Sequence, residues 1–155
     1  AREFVEMRIH GVDAELIKAV KKAGYDGRVR DIVEMRIHGV SPEFLEGLAK
    51  AGLKPEAREV VEMRIHGVTP EYVAELAAAG YGKLKAQEVV EMRFNHVDTE
   101  LARSSKRLGY DFTARELIEM RQHGVDGRYL ERLADSGYKG LSAEKIVKLR
   151  SHGIE

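Results

Sequence analysis

The residues best suited to chemistry lie in an eight-residue stretch, VEMRIHGV, which occurs unchanged at residues 5–12, 33–40 and 61–68. The stretch contains a glutamate, an arginine and a histidine. On a helix, a Glu and a His four residues apart share one face, where they offer an oxygen and a nitrogen ligand to a metal ion. The arginine could grip a carboxylate or a phosphate. The stretch is therefore either a site copied along the chain or a structural unit that contains reactive side chains.

The stretch belongs to a repeat that runs through the whole chain of 155 residues. The spacings between successive repeats are 28, 28, 29, 28 and 29, measured on Met7, Met35, Met63, Met92, Met120 and Leu149. A fixed period of this size is typical of helical arrays. The predicted units cover residues 1–25, 26–53, 54–81, 82–110 and 111–138, followed by a half unit over 139–155. We expect these units to form one domain over residues 1–155.

Start and stop signals predict two short helices in each unit, A and B. Helix A should follow a cap such as Ser142 or Thr113, which fits a capping box with Glu116. It should end at the glycine of the stretch, where a left-handed C-cap favours Gly. Helix B should begin after an N-cap residue and end at a second glycine. These N-cap residues are Asp13, Ser41, Thr69, Asp98 and Asp126.

Helices this short are not stable alone in water, so each unit must pack on its neighbours. We therefore predict an all-α solenoid of tandem helix-turn-helix repeats, with about eleven short helices.

One arginine recurs in all six units, near the middle of the apolar stripe when helix A is drawn at about 100° per residue. We call this row the arginine ladder: Arg8, Arg36, Arg64, Arg93, Arg121 and Arg150. We expect a structural role, in which the stem is buried and the guanidinium binds helix-end carbonyls or glutamates early in helix B. A buried charge without such partners would cost several kcal/mol. The functional alternative is a row of guanidiniums that binds carboxylates or phosphates.

The histidines also recur, on the side of helix A that faces water. They are His10, His38, His66, His123 and His152, and a glutamate precedes most of them by one turn. Zinc requires about four ligands at ~2 Å, whereas one turn supplies two and neighbouring helices lie roughly 10 Å apart. We therefore expect surface Glu–His pairs next to the helix C-terminus, with no metal or other cofactor.

The fourth unit departs from the pattern. Asn95 takes the place of the histidine and His96 that of the glycine, and Ser105 stands where other units have Leu or Val. Because Asn and His tolerate a positive φ, the helix cap should survive in place or slip by one residue. A candidate contact patch for a phosphate or an acidic peptide consists of Asn95, His96, Arg103, Lys106 and Arg107. The alternative is sequence drift that loosens one interface.

Composition narrows the classes of partner. Lys and Arg total 26, as do Asp and Glu, so no net charge attracts the chain to nucleic acid or to an anionic membrane. The absence of Cys excludes disulfides and thiolate metal sites. No apolar run approaches the ~20 residues of a membrane span, so we expect no membrane insertion of this segment. The sequence indicates no cellular localisation.

The run HGVTPEYV at residues 66–73, with Gly-Tyr closing the unit, resembles short helical repeats of bacterial proteins. Some of these repeats are appended to membrane metallopeptidases of the β-lactam-sensor type. The resemblance spans essentially the whole chain and implies an accessory sensing or protein-contact module. It implies no catalytic residue, because the zinc signature H-E-x-x-H of those peptidases is absent. The near identity of the first three units also suits a recently amplified or engineered array.

The junction between the two helices also resembles a helix-hairpin-helix, which binds DNA phosphates through a Gly-apolar-Gly turn. Here Gly67 and Val68 are followed by Thr69, and the second glycine is missing from all units. A helix N-terminus can still hold an anion, but an extended DNA surface depends on neutralised phosphates. Binding of nucleic acid is therefore the alternative function and not the expected one.

No catalytic constellation is visible, so we expect a non-enzymatic scaffold with a structural, self-assembly or protein- or peptide-binding role. The exposed positions of helix B vary from unit to unit, as either a custom binding surface or an unselected one would. They are Lys18 and Lys22, Glu46 and Lys50, Ala74 and Ala78, Arg103 and Arg107, and Glu131 and Asp135.

The ends of the array are a second candidate surface, because neither carries a dedicated polar cap. The side chains expected to be exposed there are Phe4, Val5, Ile146, Val147 and Ile154. We expect association of copies end to end if these residues are accessible.

Overall fold

A computed structural model describes residues 2–155, and every regular element in this part of the chain is a helix. The eleven α-helices are α1 (Arg2–Ile9), α2 (Ala14–Lys22), α3 (Val29–Ile37), α4 (Pro42–Lys50), α5 (Ala57–Ile65), α6 (Pro70–Leu76), α7 (Ala86–Phe94), α8 (Thr99–Arg107), α9 (Ala114–Gln122), α10 (Gly127–Asp135) and α11 (Ala143–Ser151). The last turn after α6, Ala77–Tyr81, is a wider π-helical turn. The predicted all-α helical-repeat fold is confirmed.

Helices of the same kind pack on one another. The odd-numbered helices are the A helices of the repeat and the even-numbered ones are the B helices. In the compact unit that ends at Val73, α1, α3 and α5 pack in series, and α2 packs on α4 and on α3. In the unit that begins at Ala74, α7, α9 and α11 pack in series, and α8 packs on α10 and on the Ala77–Tyr81 turn. The single domain over residues 1–155 stays a prediction.

The predicted N-caps of the B helices are confirmed. Each cap oxygen accepts a hydrogen bond from the backbone N–H three residues later, at 2.7–3.2 Å, in Asp13, Ser41, Thr69, Asp98 and Asp126. The capping box at α9 is present as well. Thr113 Oγ1 accepts from the N–H of Glu116 at 3.2 Å, and Glu116 Oε2 accepts from the N–H of Thr113 at 2.9 Å. Local hydrogen bonding therefore sets the helix starts.

The glycine of the repeated stretch ends helix A as predicted. Gly39 has a φ of 74°, a left-handed conformation that a residue with a Cβ adopts at a cost. The following N–H, of Val40, donates to the carbonyl of Met35 at 2.8 Å and closes the turn. Val40 is then only 1% exposed. The cap thus turns the chain and at the same time places an apolar side chain in the core.

The same two apolar positions of the stretch form the centre of the core in successive repeats. The methionine is fully buried in α3, α5, α7 and α9, and the valine after the cap is buried to the same degree. These residues are Met35, Met63, Met92 and Met120, and Val40, Val68, Val97 and Val125. Full burial of such a side chain contributes about 1.5–3 kcal/mol. Packing therefore accounts for the methionine and the valine of the stretch in these repeats.

In two pairs of neighbouring B helices, the first residue of one lies close to the sixth residue after the N-cap of the preceding one. A Cβ added to Gly47 would lie 2.7 Å from Cβ and Cγ of Pro70. A Cβ added to Gly127 would lie 2.8 Å from Oγ of Ser104. Each contact pairs a glycine with a larger partner, so the space at each junction suits the residues that occupy it.

This contact predicts the sign of one substitution. Alanine normally stabilises a helix interior by about 1 kcal/mol relative to glycine. Gly47→Ala should instead lower the free energy of unfolding by about 1–3 kcal/mol, because the new methyl overlaps the rigid ring of Pro70. Urea unfolding followed by circular dichroism measures the change. In a Pro70→Gly background, which removes both the Cβ and the Cγ that the new methyl meets, the same substitution should lose its penalty. A Gly47→Ala protein more stable than its parent would contradict the contact.

Candidate functional site

The arginine ladder lies at the surface. Arg36 and Arg64 are exposed, and Arg121 and Arg150 are half-buried, so the expectation of a buried arginine is wrong. The helical wheel gives the direction of the side chain correctly, towards the preceding A helix. The wheel does not give the position of the side chain along the helix axis relative to the preceding helix. Arg64 is the penultimate residue of α5 and reaches the level at which the preceding A helix has already turned away.

The guanidiniums of the ladder bind the cap of the preceding repeat. Nε donates to the carbonyl of the left-handed cap residue at 3.1 Å in three pairs: Arg64 to Gly39, Arg121 to His96, and Arg150 to Gly124. Carbonyls at the C-terminal end of a helix have no partner within the helix, so each bond satisfies an acceptor that would otherwise depend on water. Of the two kinds of partner expected for the ladder, these three arginines use the helix-end carbonyl.

Two of these arginines also lie over an aromatic ring five residues after the cap. The guanidinium carbon is 5.7 Å from the ring centre of Phe44 for Arg64, and 5.0 Å from that of Tyr129 for Arg150. At these distances the ring face attracts the cation. The contacts favour the structural interpretation of the ladder, because the same group links the cap and helix B of one repeat to helix A of the next.

We predict that Arg64→Ala lowers the free energy of unfolding by about 1–2 kcal/mol, since it removes a charge-assisted hydrogen bond and a cation–π contact. Arg64→Lys should lose most of the same amount, because lysine lacks the planar fork. Arg58→Ala is the matched control. Its exposed pair with Glu62, at 3.6 Å, should contribute at most about 0.5 kcal/mol. If urea unfolding gives equal losses of unfolding free energy for Arg64→Ala and Arg58→Ala, the stabilising role of the Arg64 contacts is refuted.

The histidine row lies on the helix ends and is exposed. His38, His66, His123 and His152 are C-cap residues of their A helices. The glutamates expected to pair with two of them have arginine partners one turn earlier: Glu34 with Arg30 at 3.4 Å, and Glu62 with Arg58 at 3.6 Å. Across residues 2–155, no three side chains among His, Asp and Glu come together in a way that could hold a metal ion.

The cap of the fourth repeat survives in place. His96 has a φ of 57°, and the next N–H, of Val97, donates to the carbonyl of Met92 at 2.9 Å. This is the hydrogen bond that Val40 makes after Gly39. The Asn95 amide donates to the carbonyl of Glu91 at 2.8 Å, and its oxygen accepts from the Gln122 amide at 2.9 Å. Asn95 and His96 are therefore parts of a helix end.

Two basic residues of the predicted patch bind carboxylates of the following repeat. Arg107 forms an ion pair with Glu131, and Ser104 Oγ donates to the same Glu131 oxygen at 2.8 Å. Lys106 forms an ion pair with Asp111, whereas Arg103 is exposed. The Arg107–Glu131 pair spans α8 and α10. Ser105, the residue on which the expectation of a loosened interface rests, is buried, and its Oγ donates to the carbonyl of Leu101 at 2.7 Å. The loosened interface stays a prediction.

The left-handed cap at position 96 predicts a stabilising substitution. Other repeats have glycine here, and a residue with a Cβ is strained at positive φ. His96→Gly should raise the free energy of unfolding by about 0.5–1 kcal/mol, after the higher entropy of the unfolded glycine chain is allowed for. His96→Ala, which keeps the Cβ and removes the ring, is the control and should not stabilise. Equal midpoints in urea for both variants would argue against strain at this residue.

A cleft of about 820 Å³ in the second unit is bordered by Tyr81, Lys106 and Asp111. The Tyr81 hydroxyl is buried and has no hydrogen-bond partner within residues 2–155. Burial, with smaller contributions from Asp111 and Glu116, raises the pKa of Tyr81 to about 12. Lys106 lies 4.7 Å from the ring centre of Tyr81, and its hydrogen bond to Asp111 lowers the pKa of that carboxyl. A phenol with so high a pKa is not a base near neutral pH.

A groove of about 300 Å³ runs between α2 and α4 in the first unit. Its walls and floor are apolar and mostly small: Ala19, Ala23, Pro42, Leu45 and Ala49. Three charged residues border it: Lys18 and Lys22 from α2, and Glu46 from α4. We call it the α2/α4 groove. It combines apolar walls with charged groups at its rim, the usual composition of a binding site.

The equivalent space between α8 and α10 is bridged. Counted from the N-cap of each helix, Arg107 takes the place of Lys22, and Glu131 takes that of Glu46. Arg107 and Glu131 form an ion pair across the space, whereas Glu46 pairs with Lys50 of its own helix at 3.2 Å. No ion pair within residues 2–155 joins the two rims of the α2/α4 groove in this way.

Sequence reasoning identified the variable B positions but not this groove. Lys18, Lys22 and Glu46 were among the exposed positions that vary between units. The feature that could have indicated the groove is the set of small residues between these charges, because Ala19 and Ala49 leave the space empty. In a helix, alanine is so common that its occurrence does not by itself indicate a groove.

Of the residues expected to be exposed at the two ends of the array, Phe4, Val5 and Ile154 are exposed, with Phe4 at 75%. Ile146 and Val147 are buried, which corrects that expectation. Their burial follows from the packing of α11 on the preceding A helix, α9.

No helix in residues 2–155 has the length and apolar character needed to span a bilayer. Neither a protein-family model nor a curated protein sequence matches this chain. The resemblance to repeats of the β-lactam-sensor-type metallopeptidases stays a prediction.

Proposed function

We propose that this protein is a non-enzymatic helical-repeat module that binds a segment of another protein in the α2/α4 groove. The observation that carries the proposal is the open apolar space between these two helices, at a position where α8 and α10 are joined by Arg107 and Glu131. A protein-contact role is also what the resemblance to bacterial helical repeats implies.

The size and lining of the groove favour side chains of a peptide over a large cofactor. Its volume of about 300 Å³ is at the lower end of the range of about 300–1,000 Å³ typical of ligand pockets. Leu45 is buried at the floor, while Ala23 and Ala49 are exposed on either side. An apolar side chain inserted between them would displace water from apolar surface, which is favourable in proportion to the area covered.

A second set of exposed apolar side chains gives weaker support for binding. Ile9, Ile37 and Ile65 occupy the same position in α1, α3 and α5, and each is more than half exposed. Neighbouring A helices lie about 8–10 Å apart, so these three isoleucines are separate exposed positions, one on each A helix. Single exposed apolar residues are common on protein surfaces. These isoleucines therefore provide a control surface for a test of the groove.

The proposal predicts that a random peptide library displayed on phage yields binders to the immobilised protein, and that most of them lose binding when the groove is filled. Ala49→Phe is the filling variant, because Ala49 is exposed and borders the groove. A protein with Ile37→Ser and Ile65→Ser is the matched control and should keep the binders. Circular dichroism and urea unfolding verify that both variants are folded.

Fluorescence anisotropy with the selected peptides gives the affinity for each variant. We expect at least a tenfold loss for Ala49→Phe, equivalent to 1.4 kcal/mol, and less than a twofold change for the control. The proposal fails if no peptide is selected, or if the selected peptides bind Ala49→Phe as well as they bind the parent protein.

A further inference from the structure

We propose that the ligand of the α2/α4 groove is an acidic amphipathic helix, whose apolar side chains enter the groove while two carboxylates bind Lys18 and Lys22. This inference rests on the proposed function, because it names the kind of segment that the same groove would take. It adds a charge requirement that a purely apolar groove would not have.

The charge at the rim is one-sided. Lys18 and Lys22 are exposed on the α2 side, and within residues 2–155 neither takes part in an ion pair. On the α4 side, Glu46 is paired with Lys50 at 3.2 Å. The rim therefore has two lysines without a carboxylate partner, opposite a charge pair that is neutral overall. A ligand that lies across the groove gains from negative charge on the side that faces α2.

The equivalent positions between α8 and α10 show how this rim could have been neutralised within the chain. There, Arg107 from one helix pairs with Glu131 from the next, and Ser104 donates to the same carboxylate. In the first unit, the position of Ser104 is occupied by Ala19, which has no donor. Glu46 is thus held by Lys50 alone, and Lys22 is left to bind a carboxylate from outside.

The spacing of the two lysines indicates a helical ligand. Lys18 and Lys22 are four residues apart on α2, which places their Cβ atoms about 5–6 Å apart on one face. Glutamates at positions i and i+4 of a ligand helix have the same spacing. Leucines at i+3 and i+7 then lie on the adjoining face and point into the groove. Helix-in-groove recognition through such anchors is a known mode of peptide binding.

The test uses the whole chain and defined peptides. The probe is a fluorescein-labelled peptide of about 15 residues, long enough to form a helix, with glutamates at i and i+4 and leucines at i+3 and i+7. A second peptide carries lysines in place of these glutamates, and a third carries glutamines. Anisotropy titrations at low and high salt give the dissociation constants.

We expect the parent protein to bind the glutamate peptide at least tenfold more tightly than the lysine peptide, with the glutamine peptide between them. The double variant Lys18→Glu/Lys22→Glu should reverse that order. The double variant Lys83→Glu/Lys85→Glu changes the net charge by the same amount in the other unit, and should leave the order as it is. Added salt should reduce the difference between the peptides, because the charges are exposed.

The outcomes separate the two proposals. If Ala49→Phe abolishes binding while the order of the three peptides is the same for the parent and for Lys18→Glu/Lys22→Glu, the groove binds apolar segments and the acidic helix is wrong. If the control Lys83→Glu/Lys85→Glu also reverses the order, the preference reflects net charge and the inference is overturned. If none of the three peptides binds the parent protein, the acidic helix is also wrong. In that case the peptide selection still decides whether the groove binds a protein segment.

Discussion

The structure depends on one constraint, that a helix of seven to nine residues is too short to persist alone in water. Within each compact unit, helices of the same kind cover one another's apolar sides. The buried Met and Val of the repeated stretch supply that cover, and the left-handed cap between them brings both into the core. The arginines then tie helix A of one repeat to the cap of the preceding one. The reactive residue types in the stretch are therefore explained first by stacking.

Much of the fold could be predicted because its signals are local. The caps Asp13 and Thr113, the glycine stops and the alternation of A and B helices all follow from interactions within a few residues of one another. The exposure of the ladder arginines could not be predicted, because it depends on where helix A of the neighbouring repeat ends. The burial of Ile146 was missed for the same reason, since it requires knowing which face of an A helix packs on the preceding repeat.

The candidate site was harder to predict, because it is defined by what is absent. Small side chains at Ala19 and Ala49 and the lack of a bridge between the rims make the α2/α4 groove, and none of these is a motif. The fourth repeat shows the opposite case. Its cluster of basic residues predicts a binding patch, but in the structure Lys106 and Arg107 pair with carboxylates of the following repeat. A cluster of like charges in sequence thus becomes a set of internal contacts once the helices are stacked.

The pairs at the junctions of the B helices have a consequence for how such a chain can change in evolution. Gly47 faces Pro70, Ser104 faces Gly127, and Thr99 donates to Glu75, so each helix suits the neighbour it has. Moving a single repeat to a new place would bring unmatched residues together, such as the Ser104 position against the ring of Pro70. Duplicating a block of repeats would preserve every internal junction and create only one new one. Growth of the array in blocks is therefore tolerated more readily than shuffling of its members.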